Sequence, residues 1–148
     1  MSLDELYRQV ILDHYRNPRR AGRLQEPDAH AEGHNPLCGD EISLDLAFQD
    51  DRVTDAAVFG RGCSISQASA SMLADRIVGM TRDEIADLIE RVKRLLGIEP
   101  GDPGIDPDRP GEALGDLEAL AGVQRFPVRI KCADLAWTTL QAALSGDG

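Results

Sequence analysis

Aromatic side chains are nearly missing from this sequence: its 148 residues include one Trp, two Tyr and three Phe. The length suits one domain with a single core, so Ile, Leu, Val and Ala must fill most of it. Long apolar runs are missing too. None approaches the roughly 18 residues that a membrane span requires. The opening MSLDELYRQV carries acids where a signal peptide would carry an apolar stretch. Together these absences predict a cytoplasmic chain with no membrane partner, in a compartment that keeps thiols reduced. Positive charge is in deficit, with 16 Lys and Arg against 26 Asp and Glu and a net charge of −10. Nucleic acid would be repelled, so it is not expected as a partner. The local exception is RNPRRAGR, which holds Arg16, Arg19, Arg20 and Arg23. It reads either as a solvated loop or as a docking patch for an acidic surface. Cysteine is scarce as well, at three residues, none close to another in sequence. That argues against a disulfide framework and leaves metal binding, sulfur chemistry or plain burial.

What is present organises the chain. Ser2 and Glu5 form a capping-box pattern, followed by Leu3, Leu6, Tyr7, Val10 and Ile11 at helical spacing. A first helix is expected over about 3–16, stopping at Asn17-Pro18. Residues 18–36 show no period and are expected to be a long irregular connection, functional or mobile. EISLDLAFQ alternates, with Ile42, Leu44, Leu46 and Phe48 on one face; Asp50-Asp51 suits a tight turn, and RVTDAAVFG returns as a less regular strand. Gly60 and Gly62 bracket a bend before Cys63. SISQASASMLADRIVG reads as a helix of small residues. Thr81 and Glu84 start a strongly amphipathic helix closed by Gly97. The Pro/Gly-rich stretch over about 98–111 is expected to be a loop, neither helix nor central strand. A short helix around 112–121 and a final helix from Pro127 to about Leu144 complete the order. Helix, antiparallel strands and then several helices indicate an α+β class.

Each cysteine has chemistry beside it. Cys38 lies in NPLCGD, where Gly39 permits a turn that lets Cys38 and Asp40 converge. Cys63 stands just before a helix, whose free N–H groups and dipole favour a thiolate. Cys132 follows Arg129 and Lys131, cations that would also favour a thiolate, yet it shares a helical face with Val128, Leu135, Thr139 and Leu140 and could be a core residue. Three thiolates and a carboxylate suit a tetrahedral zinc or iron site, so Cys38, Asp40, Cys63 and Cys132 form one candidate ligand set. Scattered buried thiols remain the other reading. Among the histidines, His34 is a possible substitute ligand, His30 reads as a surface residue, and His14 as a packing or capping residue near the end of the first helix.

NPLCGD, GRGCSISQASASML and RIKCADLAW, in this order, resemble the iron–sulfur cluster assembly family of IscU and the NifU N-terminal domain, closest to its SufU branch. The likeness runs from LYRQVILDHYRNPR to the last helix. It implies one IscU/SufU-like domain over 1–148, with a small three-stranded antiparallel sheet, helices packed on one face and the Pro/Gly-rich loop of about 98–111 as an insertion. It also implies a metal site at Cys38, Asp40, Cys63 and Cys132. Two departures set the branch. Lys131-Cys132 stands where IscU-type scaffolds carry His-Cys, and RFPVRIK replaces the segment read by a dedicated Hsp70 partner.

The SufU resemblance implies Zn²⁺ and sulfur transfer from a SufS-type cysteine desulfurase, with downstream Suf assembly machinery as the further partner. Cys38, on a glycine-bearing loop, is the expected sulfur acceptor, released when a desulfurase histidine takes one zinc position. Arg129 is the candidate for docking or stabilising its thiolate, against an ordinary surface charge. The alternative is a scaffold for a [2Fe–2S] cluster, with Asp40 as a weak oxygen ligand. A purely structural zinc is a third reading.

Overall fold

A computed structural model describes residues 2–146. Helix α1 (Leu3–Arg16) begins where Ser2 Oγ accepts from Glu5 N at 3.2 Å, and it buries Tyr7, Ile11 and His14. His14 is a packing residue. Its ring meets Ser71 Oγ at 2.7 Å and Asp116 Oδ2 at 2.8 Å.

Strands β1 (Ala29–Asn35), β2 (Asp40–Gln49) and β3 (Arg52–Arg61) make one antiparallel sheet in the order β1-β2-β3. Ile42, Leu44 and Leu46 face the core, and Asp50 takes φ 57° in the tight turn. The register shifts between Ala47 and Phe48 in the β2–β3 ladder. The expected irregular connection over 18–36 is corrected on two counts: residues 29–35 form β1, and the residues before them are pinned to the sheet. Gly22 N donates to Val58 O, Asp28 N to Leu46 O, and Phe48 N to the Asp28 carboxylate. The fully buried Asp45 anchors the middle of this strap, accepting from Arg23 Nε at 2.8 Å and Leu24 N at 3.1 Å and meeting His30 Nδ1 at 2.6 Å. His30 is therefore half-buried rather than a free surface residue. The arginine cluster is mostly spent on ion pairs within the chain, Arg19 with Asp13, Arg20 with Asp55 and Arg23 with Asp45.

Helices α2 (Ser64–Ile77) and α4 (Pro127–Ser145) cover the apolar face of the sheet. Small side chains allow the approach. A Cβ on Gly33 would collide with Thr139 Oγ1 of α4. The buried Trp137 donates from Nε1 to Ser69 Oγ at 3.0 Å, and that hydroxyl donates to Ala133 O at 2.7 Å, which ties α4 to α2. Helix α3 (Arg82–Leu95) starts with the full Thr81–Glu84 capping box and docks through Lys93 on Asp134 at 2.6 Å.

The Pro/Gly-rich loop after α3 is held by Arg91 and Arg94, which donate to the carbonyls of Pro103, Gly104 and Asp102. The short helix expected over 112–121 is a 3₁₀ helix and spans Gly115–Arg125. The buried Glu118 carboxylate accepts from the backbone N–H of Gly111, Ala113 and Leu114, so the chain enters this helix bent around one side chain. Among the described residues no helix is long and apolar enough to cross a membrane.

Candidate metal centre

Three junctions converge at one end of the sheet. The first is the β1–β2 turn, where Cys38 N donates to Asn35 O at 3.3 Å and Leu37 N to Asn35 Oδ1 at 3.3 Å. Gly39 there takes φ 68°, the left-handed region that favours glycine. Asp40 follows as the first residue of β2. The second is the β3–α2 joint, with Cys63 as the N-cap of α2, its Sγ accepting from Ser66 N at 3.5 Å. The third is the start of α4, which carries Cys132 on its buried face.

Cys38 Sγ and Cys132 Sγ lie 3.3 Å apart, and with an Asp40 carboxylate oxygen they form a group whose ligating atoms all fall within 4.8 Å of one another. Cys63 lies at the edge of this group. Its backbone N–H donates to Asp40 Oδ1 at 2.9 Å, which orients the carboxylate. Exposure is graded: Cys132 is fully buried, whereas Cys38 and Cys63 are half-buried. Burial pushes the Cys132 thiol far above its ordinary value, and Cys38, Asp40 and Cys63 push it further. Arg129 and Lys131, the cations near it in sequence, are both exposed, whereas Cys132 is fully buried. Arg129 lines a groove of about 580 Å³ together with Ser64, Tyr7 and Phe126 and makes no described ion pair. His34 is outside the ligand group, exposed and 3.8 Å from Glu41.

The donor set fits a metal. Asp40 is fully buried, yet its Oδ2 has no hydrogen-bond partner among the described residues. A carboxylate oxygen left bare in the interior is costly unless a cation or a donor meets it. Two thiols beside it, with a third adjacent, are the soft partners that zinc and iron favour.

Two contributors carried weak sequence signals. Gly62 (φ 146°) leaves no space for a Cβ, which would collide with Asp40 Oδ1. Its place in the GRGC bend hinted at the turn but not at the contact. Asn35 is 9% exposed and faces Asp40 across the strand pair. Its position in NPLCGD, three residues before Cys38, was the signal.

The sequence of the NifU-like N terminal domain matches residues 6–146. The chain belongs to this family. Among its relatives, the zinc-dependent sulfurtransferase SufU of Bacillus subtilis is 42% identical over 97% of this chain and 92% of its own. The iron–sulfur cluster assembly scaffold protein IscU of Streptococcus pyogenes is 38% identical over 96% and 84%. Among solved structures, a SufU protein of Fervidobacterium islandicum, described as a putative scaffold for the SUF system, superposes with a TM-score of 0.81. It is 29% identical and covers 92% of this chain and 94% of its own. The three-stranded antiparallel sheet with its helices is thus the fold of this family.

Proposed function

We propose that this protein is a sulfur acceptor in iron–sulfur cluster assembly, with zinc held by Cys38, Asp40, Cys63 and Cys132. The observation that carries the reading is the gathering of Cys38, Cys132 and an Asp40 carboxylate oxygen within 4.8 Å, where the buried Asp40 Oδ2 has no hydrogen-bond partner among the described residues. The zinc-dependent sulfurtransferase name of the Bacillus relative supports the choice of metal and reaction. Zinc supplies a positive charge that keeps the coordinated thiols deprotonated at neutral pH.

Cys38 is the acceptor. It is the more exposed of the two close thiols and sits on the Gly39 turn, whereas Cys132 is fixed in a helix and fully buried. Its thiolate attacks the outer sulfur of a persulfide on a SufS-type cysteine desulfurase. A bond forms between Cys38 Sγ and that sulfur, the persulfide S–S bond breaks, and its electron pair leaves on the desulfurase thiolate. No outside oxidant or reductant is consumed. Asp40, held by Cys63 N, stays in place while Cys38 moves. Leu37 and Val128, 77% and 71% exposed, offer apolar surface beside the site for the desulfurase to cover. Arg129, next to Val128 in the chain and without an ion pair among the described residues, adds a cation at that surface. The sulfur then passes to downstream Suf assembly machinery.

The test is intact-mass analysis after anaerobic incubation with a cysteine desulfurase and cysteine. The wild type gains one sulfur atom and Cys38→Ala gains none; equal gain in both overturns the assignment. A scaffold for a [2Fe–2S] cluster is the second reading, favoured by the scaffold name of the Streptococcus relative. Anaerobically purified protein separates the two: a colourless protein with one zinc supports the acceptor, and iron with equal sulfide supports the scaffold.

A further inference from the structure

Cys38 and Cys132 are free thiols, yet their sulfurs touch at 3.3 Å, with the Cys132 S–H donating to Cys38 Sγ. A disulfide holds its two sulfurs at about 2.05 Å, so a small approach would close this gap. Cys38 is placed to make it. It sits on the turn that Gly39 shapes, beside the exposed Leu37, whereas Cys132 is fixed on the buried face of α4. Cys63 is engaged differently. Its Sγ accepts from Ser66 N as the cap of α2, and it stands outside the group whose ligating atoms fall within 4.8 Å of one another.

Reactivity follows exposure. Cys38 is half-buried and Cys132 fully buried, so an oxidant arriving from solution meets Cys38 first. Peroxide turns a thiolate into a sulfenic acid, which either condenses with a second thiol or is carried on to the irreversible sulfinic state. A second thiol in contact decides between these fates. Cys132 is that thiol, and its hydrogen is already aimed at the sulfur it would join.

We infer that the metal-free site is a redox modification site, where hydrogen peroxide oxidises Cys38 and Cys132 then closes a reversible disulfide with it. In the first step the Cys38 thiolate attacks one peroxide oxygen. An S–O bond forms, the O–O bond breaks and hydroxide leaves. In the second step the Cys132 sulfur attacks Cys38 Sγ. An S–S bond forms, the S–O bond breaks, and the hydroxyl departs with the Cys132 thiol proton as water. The two sulfurs give up two electrons, and one peroxide is reduced to water and hydroxide. The bridge removes two sulfurs from the candidate ligand set and blocks the expected acceptor. Zinc binding and sulfur uptake are both lost until a dithiol reduces it. The bridge rests on the geometry alone; only its effect on sulfur uptake rests on the sulfur-acceptor reading.

The test treats the full-length chain with a chelator, then with equimolar hydrogen peroxide, and digests it without reductant for mass analysis. The expected main product is a cross-linked peptide pair carrying Cys38 and Cys132, in the wild type and in Cys63→Ser. Random closure in an unfolded chain favours the shorter loop between Cys38 and Cys63. That pair as the main wild-type product overturns the proposal, and so does Cys38 sulfinic acid with no bridge. Cys132→Ser is expected to gain severalfold more sulfinic acid at Cys38 than the wild type at the same dose; an equal gain overturns the role of Cys132. If Cys132→Ser does not fold, the mapping in wild type and Cys63→Ser decides. The bridged wild type is expected to take up no zinc in competition with a chromophoric chelator and to recover uptake after dithiothreitol. Full zinc uptake by the bridged protein overturns the closing of the site. Last, reduced and bridged proteins are incubated anaerobically with desulfurase and cysteine, and only the reduced one should gain sulfur. Should the reduced protein gain none, the sulfur-acceptor reading fails, and the peptide mapping still decides the bridge.

Discussion

Gly62 lies against Asp40 with no room between them for a Cβ atom. The same close approach brings Cys63 N within 2.9 Å of the carboxylate. Gly62→Ala combines this collision with a left-handed φ of 146°. It should destabilise the fold by about 2–4 kcal/mol and lower metal content at the same time. Denaturant unfolding and metal analysis of the purified variant check both.

Asp40→Asn should move two quantities in opposite directions. The amide oxygen still accepts from Cys63 N, and the buried charge with its bare oxygen is gone. In the metal-free state, unfolding free energy is expected to rise by about 1 kcal/mol or more, while zinc affinity falls at least roughly tenfold. Melts in chelator and competition titrations measure the pair.

Gly33→Ala tests whether helix placement sets the site. Its Cβ would strike Thr139 Oγ1 and press on Leu135, pushing away the helix that carries Cys132. A loss of about 1–3 kcal/mol is expected, with weaker zinc binding although no ligand is changed. Adding Thr139→Ala should restore much of both. Melting curves and zinc titration of the single and double variants give the comparison.

Asp45 ties the strap to the sheet and should make the fold acid-sensitive. Burial raises its pKa, but hydrogen bonds from Arg23, His30 and Leu24 N outweigh that and hold it below the ordinary aspartate value. With the folded value depressed, the unfolded chain takes the proton first. The contribution is full above about pH 4, the unfolded value, and is lost as pH falls through the folded one. Asp45→Asn should cost about 2 kcal/mol at pH 7 and lose less further stability than wild type between pH 5 and 3. Urea unfolding across that range reads the difference.

Much of the scaffold was legible because each element carries its own local chemistry. The Ser2 cap, the alternation of Ile42, Leu44 and Leu46, the Thr81–Glu84 box and Pro127 all mark boundaries that the fold respects. β1 escaped because its inward residues are Ala31, Gly33 and Asn35. Close packing by α4 at Gly33 demands small side chains there and erases the apolar alternation. The only trace was the polar run of His30, Glu32 and His34 on alternate positions. The short helix expected over 112–121 begins and ends a few residues later, because its entry is shaped by Glu118 reaching back to three backbone N–H groups. In the site, the thiols and Asp40 were readable from residue chemistry. The Cys63 N–Asp40 bond, the Gly62 contact and the stranded Asn35 amide depend on tertiary approach, at which GRGC and NPLCGD only hint.

Cys132 is separated from its neighbour Cys38 by 94 residues of chain. At typical ribosomal speeds of about 5–20 residues per second, that gap corresponds to roughly five to twenty seconds of synthesis. Throughout that interval the nascent polypeptide displays Cys38, and for most of it Cys63, with no helix to shelter them. Oxidative damage or mispairing of these thiols is therefore most threatening during translation, and supply of the metal matters most at the moment the final helix emerges.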